Sequence, residues 1–285
     1  MRNGSQVKVV RTIASARRLS RAARGKVVLV PTMGALHAGH AALIDRARKL
    51  AGPEGLVVVS IFVNPIQFAP KEDLSRYPRP FAADRKLCDE HGADVIFHPD
   101  AAEMYAEGFS TFVEESALSA PLCGASRPGH FRGVCTVVLK LFAGIEPDVA
   151  VFGLKDYQQC AVIGRMVRDL NLPVRIAAVP TVRESDGLAL SSRNAYLTPE
   201  QRAQAPLIRK ALLSAREACR RGEKSAARLR SIALAKLAGA PLARVEYVEL
   251  VDAETLEGVS RLKGEAVMAA AVFFGQTRLI DNILL

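Results

Sequence analysis

Tryptophan is absent from this 285-residue chain and aromatic residues make up only 6% of it. Leu, Val, Ile and Ala must therefore fill most of any core. Cysteine is scarce: five residues, at positions 88, 123, 135, 160 and 219, odd in number and with no C-x-x-C pair. That pattern argues against a disulfide framework and a structural zinc site, and for buried, reduced thiols in a cytoplasmic protein. Long uncharged runs are missing as well. The stretch 27–44 is interrupted by Pro31, Gly34, Gly39 and two histidines, and 266–277 is too short to cross a bilayer, so no membrane segment is expected. No secretory hydrophobic region, internal repeat or low-complexity tract is visible.

What is present suits a globular chain: 49% hydrophobic and 24% charged residues exclude wholesale disorder. The length allows one large domain or two moderate ones. Lys and Arg number 39 against 29 Asp and Glu, a formal charge of +10, and residues 200–240 hold ten of the bases against three acids. Such a stretch can meet nucleic acid, attract an anionic substrate, or form the solvated face of ordinary helices. With no aromatic stacking platform beside it, the solvated face is the better reading and no nucleic-acid partner is expected. The first 25 residues are Arg-rich and lack acids, which mimics an organelle transit peptide. The run 7–10 followed by T-I-A-S-A-R-R reads better as a short strand entering a basic amphipathic helix.

Two textures divide the chain. Short β-branched runs at 27–30, 56–63, 94–97, 148–152 and 174–179 alternate with helical stretches such as 40–50 and 157–171. Continuous apolar strands separated by helices predict an α/β domain, a Rossmann-like doubly wound parallel sheet whose ligands sit beyond the strand carboxyl ends. After about residue 194, T-P-E-Q at 198–201 marks a capped helix start. Helices over 199–221 and 225–238 and strands over 244–251, 266–274 and 277–284 predict a smaller α+β domain. The expected domains are 1–182 and 183–285.

The segment richest in chemistry is P-T-M-G-A-L-H-A-G-H at 31–40, between a strand and a helix. Gly34 and Gly39 suit a tight turn, and a helix starting near His40 would aim free N–H groups and a positive dipole end at an anion. His37 and His40 can then set two imidazoles beside one phosphate chain. The tetrad resembles the H-x-G-H signature of the nucleotidyltransferase superfamily, which joins substrates to the α-phosphorus of ATP. A second signature, a loop with hydroxyls and a cation, is supplied by Ser191, Ser192 and Arg193 within 182–194. Lys155, in F-G-L-K-D-Y-Q-Q at 152–159, lies at a strand-to-helix junction facing the same crevice. Asp156 can cap the next helix or touch ligand. Gln67 and Gln159 follow strand carboxyl ends, where uncharged amides suit a substrate with hydroxyls beside a carboxylate.

Together with Y-P-R at 77–79, G-A-S-R-P-G-H-F-R-G-V at 124–134, G-L-A-L-S-S-R-N at 187–194 and T-R-L-I-D-N at 277–282, these strings resemble the pantoate–β-alanine ligase family over nearly the whole chain. Leu154 stands where many members carry Glu or Gln, which removes a side-chain contact and leaves a backbone one. The resemblance implies that (R)-pantoate and β-alanine are condensed with ATP and Mg2+ through a pantoyl adenylate, giving pantothenate, AMP and diphosphate. It implies catalytic roles for His37, His40, Lys155 and Arg193, with His40 as proton donor. Met33, Gly34, Ala35, Leu36, His37, Ala38, Gly39 and His40 would line ATP. Gly153, Leu154, Lys155, Asp156, Val182, Leu190, Ser191, Ser192 and Arg193 would complete the nucleotide site. Gln67 and Gln159 would hold pantoate, and Arg127 and His130 would border the amine's entry. The acidic stretch some members place near a metal is reduced to Asp84, so the metal ligands stay unknown. The second domain would act as a lid, and a homodimer is expected. Another adenylyl or cytidylyl transferase would share the histidines without the paired glutamines. A tRNA synthetase fragment would bring an anticodon-binding module, which has no counterpart here.

Overall fold

A computed structural model describes residues 6–69 and 72–285. Residues 1–5, which open both the first expected domain and the transit-like stretch, lie outside the described residues. The elements run β1 (Lys8–Val10), α1 (Ile13–Arg21), β2 (Val27–Thr32), α2 (Ala38–Ala51), β3 (Leu56–Ile61), α3 (Phe81–Glu90), β4 (Val95–Phe97) and α4 (Ala101–Met104). They continue with α5 (Cys123–Ser126), α6 (His130–Ile145), β5 (Val149–Gly153), α7 (Tyr157–Asp169) and β6 (Arg175–Val179). Then come α8 (Pro199–Gln204), α9 (Leu207–Arg220), α10 (Ala226–Leu237), β7 (Ala243–Asp252), β8 (Ala266–Phe274) and β9 (Thr277–Leu284). The chain forms two compact units. The first comprises residues up to 115, 127–154 and 162–180; the second comprises 116–126, 155–161 and 181–285.

In the first unit β1 to β6 form one parallel sheet in the order β1-β4-β3-β2-β5-β6. The β-branched runs explain it: Val27 to Val30 and Val57 to Ile61 are buried at successive positions, so both faces of the sheet are covered. Helix α2 packs on β2, β3 and β5, and α6 on β2 and α1. Strand order reverses between β2 and β5, which makes their carboxyl ends the topological switch point. The amino-terminal stretch takes the structural form expected of it. Thr12 caps α1 by accepting from Ser15 N–H, and Val7 N–H and Ile13 N–H donate to Asp89 and Glu103.

In the second unit β7, β8 and β9 make an antiparallel meander with a bulge between Val245 and Tyr247. Its core joins Ile208, Leu212 and Leu229 of α9 and α10 to Met268, Val272, Phe274 and Ile283 of the sheet. The capping box at Thr198 forms as predicted: Thr198 N–H donates to Gln201 Oε1 and Gln201 N–H to Thr198 Oγ1. The single helix expected over 199–221 is two, α8 and α9. Pro206 has no N–H to offer the carbonyl of Arg202, and its ring clashes with a continuing helix. Among the described residues no helix is long and apolar enough to cross a membrane.

Candidate active site

The carboxyl end of β2 runs straight into the turn that carries the histidines. Gly34 holds φ +83° and Ala35 φ +51°, and a Cβ at Gly34 would meet Asp84 Oδ2 at 3.0 Å and Ile61 Cγ2 at 3.1 Å. Asp84, only 2% exposed, explains the turn: its Oδ2 accepts from Ala35 N–H at 3.0 Å and its Oδ1 from Leu36 N–H at 2.7 Å. Burial pushes the Asp84 carboxyl above its ordinary range, and the two N–H bonds offset only part of that.

Helix α2 begins at Ala38, earlier than expected, because His37 is its N-cap. His37 Nδ1 accepts from Gly39 N–H at 3.1 Å, and His40 Nδ1 accepts from His37 N–H at 3.3 Å. Two histidines thus make the reciprocal capping box usually built from hydroxyl and carboxyl side chains. Their rings lie 4.2 Å apart at 46°. An Nδ1 that accepts a bond carries no proton, so the N–H of each neutral ring is at Nε2. These bonds take up most of the N–H groups expected to be free at this helix start. Gly34 N–H bonds Thr32, Ala35 and Leu36 bond Asp84, His37 and Gly39 bond the ring nitrogens, and His40 N–H bonds His37 O. The dipole of the helix start remains.

Past the end of β3, Asn64 precedes a short 3₁₀ turn, Pro65–Gln67, and Gln67 ends it. Gln67 Nε2 donates to Met33 Sδ at 3.0 Å, bringing the expected pantoate ligand to the expected ATP-lining turn. A thioether is a weak acceptor, easily replaced by a carboxylate oxygen. Gln67 also borders an open cleft with Phe68, Glu72, Arg127, His130 and Arg132. Here Glu72 grips Arg127 through two bonds of 2.7 Å. Arg127 donates to His130 Nε2 at 3.0 Å, so His130 Nδ1–H donates to Gln67 O at 2.9 Å. Burial would raise the Glu72 carboxyl, but the hydrogen bond and charge of Arg127 outweigh it and hold it low.

Of the remaining predicted residues, Gly153 ends β5 and Leu154 follows it in the first unit, and the others belong to the second. Lys155 Nζ lies 3.7 Å from Asp156 Oδ1, so Asp156 pairs with its neighbour. Gln159 is half-buried on α7, while the adjacent Gln158 is structural, bonding Cys123 N–H and the carbonyls of Leu118 and Pro121. Ser191 Oγ accepts from Arg193 N–H, which leaves its own O–H to donate, and Ser192 opens the 3₁₀ turn Ser192–Tyr196. Leu190 N–H bonds Val182 O, and Arg183 pairs with Ala189, closing the loop on itself. Arg183 reaches Asp281 through bonds of 2.7 and 2.8 Å, and Asn282 Nδ2 donates to Lys155 O at 2.9 Å.

A family profile described as pantoate-beta-alanine ligase matches residues 8–284. The chain belongs to the pantoate–β-alanine ligase family. It is 57% identical over 257 residues to the pantothenate synthetase of Akkermansia muciniphila, covering 90% of this chain and 91% of that protein. It is 49% identical over 282 residues to that of Thermotoga neapolitana, covering 98% and 100%. Among solved structures, pantothenate synthetase from Thermus thermophilus superposes with a TM-score of 0.91 at 48% identity, covering 97% of this chain and 99% of that one. The Francisella tularensis pantoate-beta-alanine ligase, in complex with beta-gamma ATP and β-alanine, gives 0.78 at 32% identity, covering 98% and 97%. Membership makes the chain a ligase of pantothenate biosynthesis.

For a pantoate–β-alanine ligase, the pairing of the two imidazoles is what the H-x-G-H spacing expressed. Three participants went unread in the sequence: Asp84 as the clamp of the turn, Asn64 beside Gln67, and Asp281 behind the 182–194 loop. Only Asp84 had a signal, as the acid left at the reduced acidic stretch, and its oxygens are directed to backbone N–H groups.

Proposed function

We propose that this ligase condenses (R)-pantoate with β-alanine in two half-reactions through a pantoyl adenylate, with ATP as co-substrate. The observation that carries the reading is the pair His37 and His40, two Nε2–H donors side by side at the start of α2 and at the switch point of the sheet. The Francisella relative crystallised with beta-gamma ATP and β-alanine supports both as substrates here.

A carboxylate is a poor electrophile because oxide is a poor leaving group. In the first step a pantoate carboxylate oxygen attacks the α-phosphorus, the bond to the bridging oxygen breaks, and diphosphate leaves. No protein nucleophile is needed; in-line positioning and neutralisation of spreading charge suffice. His37 and His40 donate hydrogen bonds to the phosphate oxygens through Nε2–H; His40 would pass a proton to the departing diphosphate only from its doubly protonated form, which gives up the Nδ1 bond from His37 N–H. Lys155, Ser191, Ser192 and Arg193 are assigned to the same phosphates, with Met33, Ala38, Gly153, Leu154, Val182 and Leu190 along the nucleotide. Gln67 and Gln159 hold pantoate. In the second step the β-alanine amine attacks the acyl carbon, loses a proton, and expels AMP. Exclusion of water from the mixed anhydride is assigned to residues 183–285.

Mg2+ fits this chain only as a companion of the triphosphate. Among the described residues no cluster of three or more His, Cys, Asp or Glu could hold an ion, and both Asp84 oxygens already accept backbone bonds. Phosphate oxygens and water would hold it, as is usual for this ion, where it neutralises charge. The test is pantoate-dependent exchange of labelled diphosphate into ATP. Exchange with β-alanine omitted supports the adenylate; its absence with folded protein, Mg2+ and pantoate overturns it.

A further inference from the structure

Tyr105 is used by none of the roles above, yet its hydroxyl donates to Asn64 Oδ1 at 2.7 Å. Asn64 is 1% exposed, and its Nδ2 donates both to Gly133 O at 3.1 Å and to Gln67 Oε1 at 2.9 Å. The direction of this relay is fixed. Gly133 O can only accept, so Asn64 must turn its nitrogen toward it and its oxygen toward Tyr105. The nitrogen's second proton then meets Gln67 Oε1, which sends Gln67 Nε2 the other way, toward Met33 Sδ.

Gly133 makes the anchor possible. A Cβ there would lie 2.6 Å from Ile66 O and 2.7 Å from Gln67 Cα, so only glycine lets α6 come this close to the Pro65–Gln67 turn. Burial pushes the Tyr105 phenol well above its ordinary value, keeping it a proton donor across the working pH range. Its ring rests against Phe62 and Phe109, at centroid distances of 6.1 and 5.0 Å.

We infer that Tyr105 is a positioning residue for pantoate: through Asn64 it fixes the amide of Gln67 so that its N–H2 edge, rather than its oxygen, meets the substrate carboxylate. The inference rests on the proposed role of Gln67 in holding pantoate. A Gln67 amide free to rotate would present its oxygen to an anion in part of the molecules and repel it.

The test is Tyr105→Phe, which keeps the ring contacts and removes the hydroxyl, assayed alone and combined with Gln67→Ala. Loss of one buried hydrogen bond should raise KM for pantoate about tenfold, with KM for ATP and β-alanine moving less than about twofold. In the Gln67→Ala background the same change should alter pantoate KM by less than about twofold, because nothing remains to orient. If Gln67→Ala raises pantoate KM and Tyr105→Phe does not, the positioning role falls and the Gln67 assignment stands. An equal Tyr105→Phe effect in both backgrounds, or equal rises for all three substrates, also overturns the inference. If Gln67→Ala leaves pantoate kinetics unchanged, the reading beneath it fails, whatever Tyr105→Phe does.

Discussion

His37 and His40 each cap the other's turn: His37 Nδ1 accepts from Gly39 N–H, His40 Nδ1 accepts from His37 N–H, and the rings stand 4.2 Å apart. One nitrogen of each ring is structural and the proposed chemistry belongs to the other, and substitution can separate them. Asn at position 37 can cap Gly39 as well as imidazole does, so His37→Asn should change stability by under about 0.5 kcal/mol. It removes an Nε2–H donor, and diphosphate exchange should fall by about 10²-fold or more. His40→Ala should lower exchange similarly and cost about 1 kcal/mol as its half of the box is lost. Exchange within about twofold of the parent in either variant would remove that histidine from the chemistry. Urea titration gives the stability arm.

Asp84 separates electrostatics from geometry. Removing a buried negative charge near the proposed triphosphate site would by itself tighten ATP. Asn at 84 has one acceptor oxygen, so its NH2 would face the N–H of Ala35 or Leu36, and the turn should loosen at a cost of about 1–3 kcal/mol. We expect weaker ATP binding by calorimetry in Asp84→Asn, and tighter binding would refute the clamp. The pH arm has a definite sign. The native carboxyl sits above the unfolded value of 3.8, so the folded state binds more protons in that window. This contribution to stability is therefore lost as pH rises through the native value, a falling component that Asp84→Asn should lack.

These cases show where the sequence was legible. The parallel sheet could be read because Val27 to Val30 and Val57 to Val59 are valine-rich apolar runs buried on both faces, a local signal. The histidine pair was legible because spacing three around Gly39 on one helix start already implies proximity. Asp84 to Leu36 spans 48 residues, Tyr105 to Asn64 spans 41, and Arg183 to Asp281 spans 98. No local period encodes such pairings; they are set by which strand lies beside which. The break at Pro206 was written in the sequence, but the strong capping box at Thr198 carried the helix reading past it.

Glu72 gives the opposite pH sign. Arg127 holds its carboxyl below the unfolded value of 4.5 despite burial, so the unfolded state binds more protons between the two values. Stability from this pair is present above 4.5 and is lost as pH falls through the native value. Glu72→Gln should flatten the acid limb of a urea-midpoint profile below the unfolded value of 4.5. It should also free Arg127 from its bidentate grip. An unchanged acid limb would show that the pair does not persist in solution.

The Arg183–Asp281 pair tests whether the 182–194 loop is held from below. Asp281 is 4% exposed, and its oxygens take both Arg183 nitrogens at 2.7 and 2.8 Å. Asp281→Ala leaves a guanidinium in a site built for an ion pair, and should cost about 3–5 kcal/mol. Arg183→Met alone strands the carboxylate and should cost a similar amount. The double change Arg183→Met with Asp281→Leu removes both charges, and should recover most of that loss because a buried pair repays little beyond its own desolvation. Activity should not follow stability. Arg183 also bonds Gly187 O, and Asp281 accepts from the N–H of Asn282, whose side chain holds Lys155 O. We therefore expect the double variant to be stable in denaturant yet to show a raised KM for ATP, as Ser191 to Arg193 lose their support. Restored stability with parental ATP kinetics would mean the loop is positioned without this pair.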